Sequence, residues 1–246
     1  MEEKMLNEQP AKKKKDLLIL GLGFAGTRLA SKINRELFDV LVVDRKSFFE
    51  FSPSIISAFG NPQRLTSITV TPKDILKPGE FLQADLSLLS LSKAELKLPQ
   101  GLGPEHASTL DSLAKKGWRI SRDETQQKLE IQFDYCVVCI GSAYAAPIRS
   151  WASTQRERQA EIQAFGERIA QPNLEKVIVE GAGYVGVEAA LRIKEITKKP
   201  VEMYVRSDTI LRTIPQAGQD KARQLLNEKG VTVRFNRTVL PEEAAK

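Results

Sequence analysis

The chain has 246 residues, of which 41% are apolar and 28% charged, and its formal net charge is +6. This composition is typical of a globular protein of one large or two ordinary domains. The charge is modest and no basic stripe is interleaved with aromatic residues, which excludes nucleic acid as the main partner. No apolar run approaches the roughly 18 residues that span a bilayer, and no secretory signal is present. We therefore expect an intracellular, cytoplasmic protein.

The first 15 residues form a basic leader. They hold five lysines and three glutamates, and four of the lysines are consecutive. Such a segment is typical of a disordered, solvated tail. A lysine run also binds anionic lipid or acts as a localisation signal, so peripheral membrane contact and a mitochondrial location stay open. No glycine follows Met1, which excludes N-myristoylation.

A buried strand, a glycine turn, a helix and a second strand are predicted across residues 16–44. Gly21 permits a tight turn, Gly23 lets the backbone approach a pyrophosphate, and Gly26 lets the helix pack close to the sheet. Asp44 closes the unit where a carboxylate can accept both hydroxyls of an adenosine ribose. The pattern predicts a dinucleotide site, and a glycine-rich turn without a ligand is the alternative.

The next segment, 45–60, is rich in phenylalanine and is interrupted by Pro53. Its aromatic residues could belong to an ordinary core. Because the segment directly follows the ribose-binding carboxylate, it is also placed to run over the other half of a ligand, and a planar isoalloxazine needs an apolar surface of this kind.

A small antiparallel meander is predicted within 81–133, inserted into the parallel sheet. The stretch 99–116 contains two glycines and two prolines and is expected to be a surface excursion. The strand-like pieces of the meander are 84–91, 95–98, 118–121 and 128–133.

The chain is expected to return to the parallel sheet at 134–140 and to end that strand at Gly141 and Ser142, a close backbone approach at a strand's carboxyl end. Cys136 and Cys139 have the C-x-x-C spacing of a redox dithiol or a metal site. Residues three apart on a strand point to opposite faces, which favours two structural core cysteines instead. A single histidine in the chain argues against a histidine-rich metal site.

The strand, glycine turn and helix occur a second time in 176–206. Gly181, Gly183 and Gly186 repeat the glycine spacing, and Arg206 stands where the first unit has its aspartate. A carboxylate suits an unmodified ribose, whereas a guanidinium suits a 2′-phosphate. NADPH is therefore slightly favoured over NADH, and an exposed strand-end arginine without a ligand is the alternative.

These patterns predict an α/β fold with two Rossmann-like dinucleotide-binding units and an inserted antiparallel β-meander. A helix at 155–169 links the units, and after the second turn only a helix (216–228) and a strand (231–235) follow. The second unit is therefore expected to be incomplete, with an exposed sheet edge. The expected division is a leader (1–15), a first domain (16–150) and a linker helix with a partial second domain (151–246).

The paired glycine motifs, the Cys-Ile-Gly-Ser strand end and the phenylalanine–proline segment resemble the FAD- and NAD(P)H-dependent pyridine nucleotide oxidoreductases. The similarity extends from Asp16 to Leu240 and is strongest to the subgroup of type II NADH dehydrogenases, apoptosis-inducing-factor-like flavoproteins and the ferroptosis suppressor protein. It implies FAD in the first unit, held by Gly21, Gly23, Gly26, Asp44, Pro53, Gly141 and Ser142. It implies NAD(P)H in the second unit, held by Gly181, Gly183, Gly186 and, near the nicotinamide, Glu188.

The resemblance implies hydride transfer from NAD(P)H to FAD and electron transfer to a small-molecule acceptor such as a quinone. The chain departs from the family in having no dithiol after the phenylalanine-rich segment and no Gly-Asp pair, the motif with which the family returns to its FAD domain. We therefore expect a fragment or a shortened relative, with a homo-oligomer or a missing C-terminal partner left open. The alternative function is a non-catalytic nucleotide-binding or interaction protein.

Overall fold

The computed structural model describes residues 13–99, 104–123, 127–142 and 147–240. These residues form two compact units. The first unit runs to Phe49 and resumes from Val70 to Ser142, and the second unit comprises Glu50–Thr69 and the described residues from 147 onward. The observed division differs from a single boundary at residue 150 because the phenylalanine- and proline-containing segment packs with the second unit.

Short 3₁₀ helices cover Ser52–Ala58, Pro62–Arg64 and Pro72–Asp74. The strands and α-helices are β1 (Lys15–Leu20), α1 (Phe24–Lys32), β2 (Phe38–Asp44), β3 (Phe49–Glu50), α2 (Leu65–Ile68), β4 (Thr69–Val70), β5 (Phe81–Gln83), β6 (Asp85–Leu89), β7 (Lys93–Lys97), α3 (Pro104–Lys115), β8 (Ile120–Asp123), β9 (Lys128–Gln132), β10 (Tyr135–Val138), α4 (Gln155–Ala170), β11 (Val177–Glu180), α5 (Tyr184–Ile196), β12 (Val201–Val205), α6 (Gln216–Glu228) and β13 (Val231–Phe235).

The first unit is built on a parallel sheet of order β10-β1-β2-β5. The central parts of β1 and β2, Leu17–Leu20 and Val40–Val43, are apolar on both faces and buried, as expected of parallel strands covered on two sides. Leu18 and Leu20 face one core, and Leu17 and Ile19 face another, in line with the two-residue period of a strand. The carboxyl ends of these strands form the edge at which the first glycine turn lies.

An antiparallel sheet of order β6-β7-β9-β8 packs on one face of the parallel sheet and confirms the predicted meander. Leu96 and Leu129 pair across it and are completely covered. The stretch 99–116 was expected to be a surface excursion, but its described part is helical and contributes to the core. Most of this stretch is helix α3, and its Leu113 is buried in the core that the two sheets share.

The second unit contains a parallel sheet of order β11-β12-β13. Helices α5 and α6 contribute apolar residues to one continuous core with this sheet, among them Ala190, Ile193 and Leu226. Three strands among the described residues are fewer than a complete nucleotide-binding half-sheet has, so the second unit is incomplete. The predicted fold class, with two Rossmann-like units and an inserted antiparallel meander, is confirmed.

The segment Glu50–Thr69 is held in the second unit by its apolar residues and by one buried ion pair. Ile55 and Phe59 belong to the core of the second unit. Arg158 of α4 is 0% exposed, and its Nε donates to Glu50 Oε2 at 2.7 Å while Nη2 donates to the carbonyl of Pro147 at 2.8 Å. None of the helices in the described ranges is long and apolar enough to cross a membrane.

Candidate nucleotide-binding sites

The first glycine turn is a tight crossing of three strand ends. Gly21 has φ +104°, which an L side chain rarely adopts, and a Cβ there would lie 2.5 Å from the carbonyl oxygen of Cys139. The Gly21 N–H donates to the carbonyl of Val43 at 2.7 Å. Only glycine allows β1 to turn this close to both neighbouring strands.

Gly23 and Gly26 have different functions in the same turn. A Cβ on Gly26 would lie 1.8 Å from the Gly21 carbonyl oxygen, so this glycine lets α1 start against the turn. A Cβ on Gly23 would meet nothing within 4 Å. Gly23 is the N-cap of α1, and no side chain caps the helix. The first N–H groups of α1 are therefore available to an anion, and the space beside Gly23 suits a phosphate.

Asp44 is fixed against this turn. Its Oδ2 accepts the N–H of Leu22 at 2.6 Å, and its Oδ1 accepts the N–H of Lys46 at 2.8 Å. Each carboxylate oxygen has a second lone pair, and the side chain is only half-buried. Asp44 is thus oriented by the backbone and can still accept the hydroxyls of a ribose.

An aromatic pair lies beside the first glycine turn and was not predicted as a pair. Phe24, the first residue of α1, is exposed and packs edge-to-face on Phe49, with ring centroids 5.3 Å apart. The phenylalanine-rich composition after the aspartate was visible in the sequence, but the partner of Phe49 in the glycine motif was not. The pair presents an apolar surface next to the phosphate space.

The remaining predicted residues of the first site are distributed over both units. Gly141 has φ +72° and, with Ser142, is exposed; both follow Cys139, whose carbonyl lies against Gly21. Pro53 is exposed in the 3₁₀ helix of the second unit. The roles of these three residues toward a cofactor stay predictions.

Cys136 and Cys139 lie on opposite faces of the parallel sheet. Cys136 packs against the core that contains Leu18, and Cys139 packs against the core that contains Ile19. Both thiols are free, and burial raises the pKa of each. The arrangement agrees with two structural core cysteines rather than a dithiol pair.

The second glycine turn repeats the geometry of the first. Gly181 has φ +100°, and a Cβ on Gly186 would lie 2.1 Å from the Gly181 carbonyl oxygen. A Cβ on Gly183 would meet nothing within 4 Å, and no side chain caps α5 after it. The second unit therefore offers the same uncapped helix N-terminus and free space for a phosphate.

The loop after β12 closes over this second turn. The N–H of Leu211 donates to the carbonyl of Ala182 at 2.9 Å, and the hydroxyls of Thr213 and Tyr184 are 3.3 Å apart. Within the described chain, Arg206 and Arg212 make no hydrogen bond or ion pair, and both are exposed. Two exposed guanidinium groups with free donors therefore follow β12, one directly after the strand and one next to Leu211, which is hydrogen-bonded to the second glycine turn. Sequence reasoning identified Arg206 and missed Arg212.

Two further residues hold this loop in place and were also missed. Gln219 accepts the hydroxyl of Thr209 at 2.6 Å, and Arg223 Nη2 donates to the same hydroxyl at 2.9 Å. Glu188 is exposed on the second turn of α5, and its position relative to a nicotinamide stays a prediction. No sequence motif marks Gln219 or Arg223, because their partners lie on a different element.

Residues 15–244 match the family model described as pyridine nucleotide-disulphide oxidoreductase. Apoptosis-inducing factor homolog B of Dictyostelium discoideum is 26% identical over 225 residues, which cover 89% of this chain and 48% of that protein. The mitochondrial external alternative NAD(P)H-ubiquinone oxidoreductase B1 of Solanum tuberosum is 26% identical, over 85% of this chain and 38% of its own length.

Two solved structures illustrate the shared fold. NDH2 of Plasmodium falciparum in complex with NADH has a TM-score of 0.68 at 14% identity, covering 92% of this chain and 48% of that one. An engineered water-forming NADPH oxidase bound to NADPH has a TM-score of 0.62 at 18% identity, covering 91% and 47%. The chain spans about half or less of the length of these proteins. Because the family model covers nearly all described residues, the chain belongs to the pyridine nucleotide-disulphide oxidoreductase family.

Proposed function

We propose that this chain is a flavin-dependent NAD(P)H oxidoreductase that binds FAD in its first unit and NADPH in its second. The observation that carries the proposal is the duplicated glycine turn with an uncapped helix N-terminus, followed by a carboxylate in one unit and by arginines in the other. Two turns of this kind in one chain fit two dinucleotides with different ribose ends.

The first unit fits FAD through its own backbone. The α1 N-terminus and the free space at Gly23 would take the pyrophosphate, and Asp44 would accept the adenosine ribose hydroxyls. The exposed pair of Phe24 and Phe49 would shield one side of the bound cofactor from water. We also assign Gly141, which follows β10, to a contact with FAD.

The second unit favours NADPH because its ribose end has cationic donors where NADH-specific sites have a carboxylate. Arg206 follows β12 directly, and β12 lies beside β11, whose end begins the glycine turn. Arg212 adjoins Leu211, which is bonded to that turn. A 2′-phosphate would accept from these guanidinium groups, and arginine gives strong, directional bonds to phosphate.

The engineered NADPH oxidase offers a comparison of residue types. Its replacements turn an aspartate-alanine-methionine run into alanine-arginine-serine and put a second arginine six positions after the first. The parent is described as an NADH oxidase of Lactobacillus brevis. This chain has Arg206 and Ser207 in the same order and Arg212 six positions after Arg206. The agreement in type and spacing supports NADPH as the donor.

The flavin, when bound, supplies the chemistry of accepting a hydride from the nicotinamide and delivering electrons onward. The chain contributes binding and orientation, for which we assign Pro53 and Ser142 to the flavin and Glu188 to the nicotinamide. The relatives named NAD(P)H-ubiquinone oxidoreductases support a quinone as the acceptor.

The test is an absorption spectrum of the purified chain after incubation with FAD and gel filtration. A retained flavin band that bleaches on anaerobic addition of NADPH, followed by re-oxidation with a soluble quinone, is the expected result. A chain that retains no flavin would reject the enzyme and favour a non-catalytic nucleotide-binding protein. Retained flavin that NADH bleaches faster than NADPH would contradict the assigned donor.

A further inference from the structure

One end of the first unit combines exposed apolar side chains with exposed cations. It lies at the amino end of β1, opposite the glycine turn. We call it the basal surface and define it by Lys13, Lys14, Lys15, Leu37, Leu88, Leu91, Arg119 and Tyr135.

Backbone hydrogen bonds bring the apolar members to this end. The tip of the β6–β7 hairpin lies close to the residues that precede β10. The carbonyl of Ser92 at the tip accepts the N–H of Phe133 at 3.0 Å. The next residue, Asp134, donates its N–H to the carbonyl of Asp16 at 2.9 Å. Leu91 is 102% exposed at that tip, and Leu88 is 53% exposed just before it. Large apolar side chains grouped at an exposed hairpin tip in this way are typical of an interaction surface.

Two more apolar residues flank β1 at the same level. The carbonyl of Leu37 accepts the N–H of Lys15 at 2.9 Å, and the Leu37 side chain is 54% exposed. Tyr135 begins β10 on the other side of β1, is largely exposed, and meets Phe38 edge-to-face at 5.7 Å. Tyrosine with a polar hydroxyl and an apolar ring is the residue type enriched at membrane–water interfaces.

Most of the exposed charged groups around the cavity at this end are cations. Lys13, Lys14, Lys15 and Arg119 are exposed and line a cavity of about 170 Å³ with Asp16 and Asp134. Asp16 is buried at the cavity wall, and Asp134 is less exposed than Lys15, which lies 4.0 Å from it. Lys14 is likewise 4.0 Å from the more covered Asp39. Asp16 and Asp39 are thus recessed and Asp134 is exposed, so an approaching surface meets four exposed cations and one exposed carboxylate around this cavity.

We propose that the basal surface docks on a lipid bilayer that contains anionic phospholipid. Leu88 and Leu91 enter the headgroup region together with Leu37 and Tyr135, and the four cations bind lipid phosphates. Apolar insertion combined with several lysines or arginines is what stable peripheral binding requires, since either contribution alone is weak. The binding needs no nucleotide and is separate from the proposed oxidoreductase activity.

The experiment is vesicle flotation of the full chain without nucleotide. Vesicles of phosphatidylcholine with about 30% phosphatidylglycerol are compared with phosphatidylcholine alone, at low and high salt. The chain is expected to float with the anionic vesicles and to be released by salt. Leu88→Ser with Leu91→Ser should weaken binding about tenfold, and Lys13→Glu with Lys15→Glu should abolish it. Leu225→Ser with Leu240→Ser, two exposed leucines of the second unit, is the matched control and should bind normally.

Three results would overturn the proposal: no flotation with anionic vesicles, flotation that the leucine changes do not affect, or equal loss in the control. A dimer that the leucine changes dissociate, without vesicle binding, would assign the surface to a second copy instead. Leu91→Trp provides an independent readout in a folded chain. Its fluorescence should shift to the blue and be quenched by brominated lipid, whereas that of Leu225→Trp should do neither.

Discussion

The N–H of Leu22, the second residue of the first glycine turn, donates a 2.6 Å hydrogen bond to the carboxylate of Asp44. The turn proposed to hold the phosphates and the side chain proposed to bind the ribose are thus directly hydrogen-bonded to each other. The carboxylate is held in position before any ligand arrives, which lowers the ordering cost of binding.

Replacing Asp44 with alanine should therefore weaken FAD binding by about tenfold or more, because charge-assisted hydrogen bonds contribute about 1.5–3 kcal/mol each. Quenching of FAD fluorescence on titration measures the change. Asp85→Asn, at an exposed position on β6, is the control and should bind FAD normally. Equal affinity of Asp44→Ala and the unmodified chain would show that the ribose lies elsewhere.

Gly23→Ala and Gly26→Ala should differ in kind. A methyl group at position 26 would collide with the Gly21 carbonyl, so we expect a loss of about 1–3 kcal/mol or more in the free energy of unfolding. A methyl group at position 23 meets no protein atom, so the fold should be unchanged while FAD affinity falls. Thermal unfolding with and without FAD separates the two effects. A strongly destabilised Gly23→Ala variant would refute the view that this space is kept for a ligand.

Arg206→Ala should lower affinity for NADPH about tenfold and leave affinity for NADH nearly unchanged, since only the 2′-phosphate needs the guanidinium. Equilibrium binding of each dinucleotide gives the ratio. Arg234→Ala removes an exposed arginine of β13, one that pairs with Glu202, and serves as the control. A parallel loss of both affinities would point to a general electrostatic effect.

Arg158→Ala should destabilise the second unit by about 3–5 kcal/mol, because it leaves the Glu50 carboxylate buried without its cation. Urea unfolding followed by circular dichroism provides the measurement. Arg156→Ala changes an exposed residue on the same helix and should have little effect. If the two variants unfold alike, the buried pair contributes no stability.

The pKa of Asp16 is raised above its usual value, mainly by burial and also by the nearby Asp134. A raised pKa means that protonated Asp16 stabilises the fold fully below the usual value of 3.8, and that this stability is lost as the pH rises through the higher native value. Asp16→Asn mimics the protonated form, so it should be more stable than the unmodified chain near neutral pH.

The difference should shrink as the pH falls toward 4, and urea midpoints at several pH values measure it. Asp111→Asn, on the exposed side of α3, should show no such trend. A constant difference at all pH values would attribute the effect to packing rather than to ionisation.

Sequence reasoning was most successful where a backbone requirement restricts the residue type. The glycines at 21, 26, 181 and 186 are required by a positive φ or a carbonyl within about 2 Å, and such requirements leave a fixed spacing in the sequence. Helix α6 and strand β13 have the predicted bounds because Gly230 ends the helix with φ +73°.

Contacts between distant segments could not be read in the same way. Helix α3 was missed because it carries few apolar residues, and Leu113 becomes informative only against the sheets it packs on. The pair of Glu50 and Arg158 joins residues 108 positions apart, and no local pattern marks either residue. Loop contacts such as Arg223 with Thr209 depend on how α6 docks.

The interrupted course of the first unit has a consequence for synthesis. The chain leaves the first unit after Phe49 and returns to it at Val70. Arg158, the partner of Glu50, is synthesised only much later. During translation the first unit can close around its own sheets while 50–69 remains a looped-out segment with exposed Ile55 and Phe59. That segment must wait until α4 leaves the ribosome, and until then it is the stretch of the nascent chain that a chaperone would recognise.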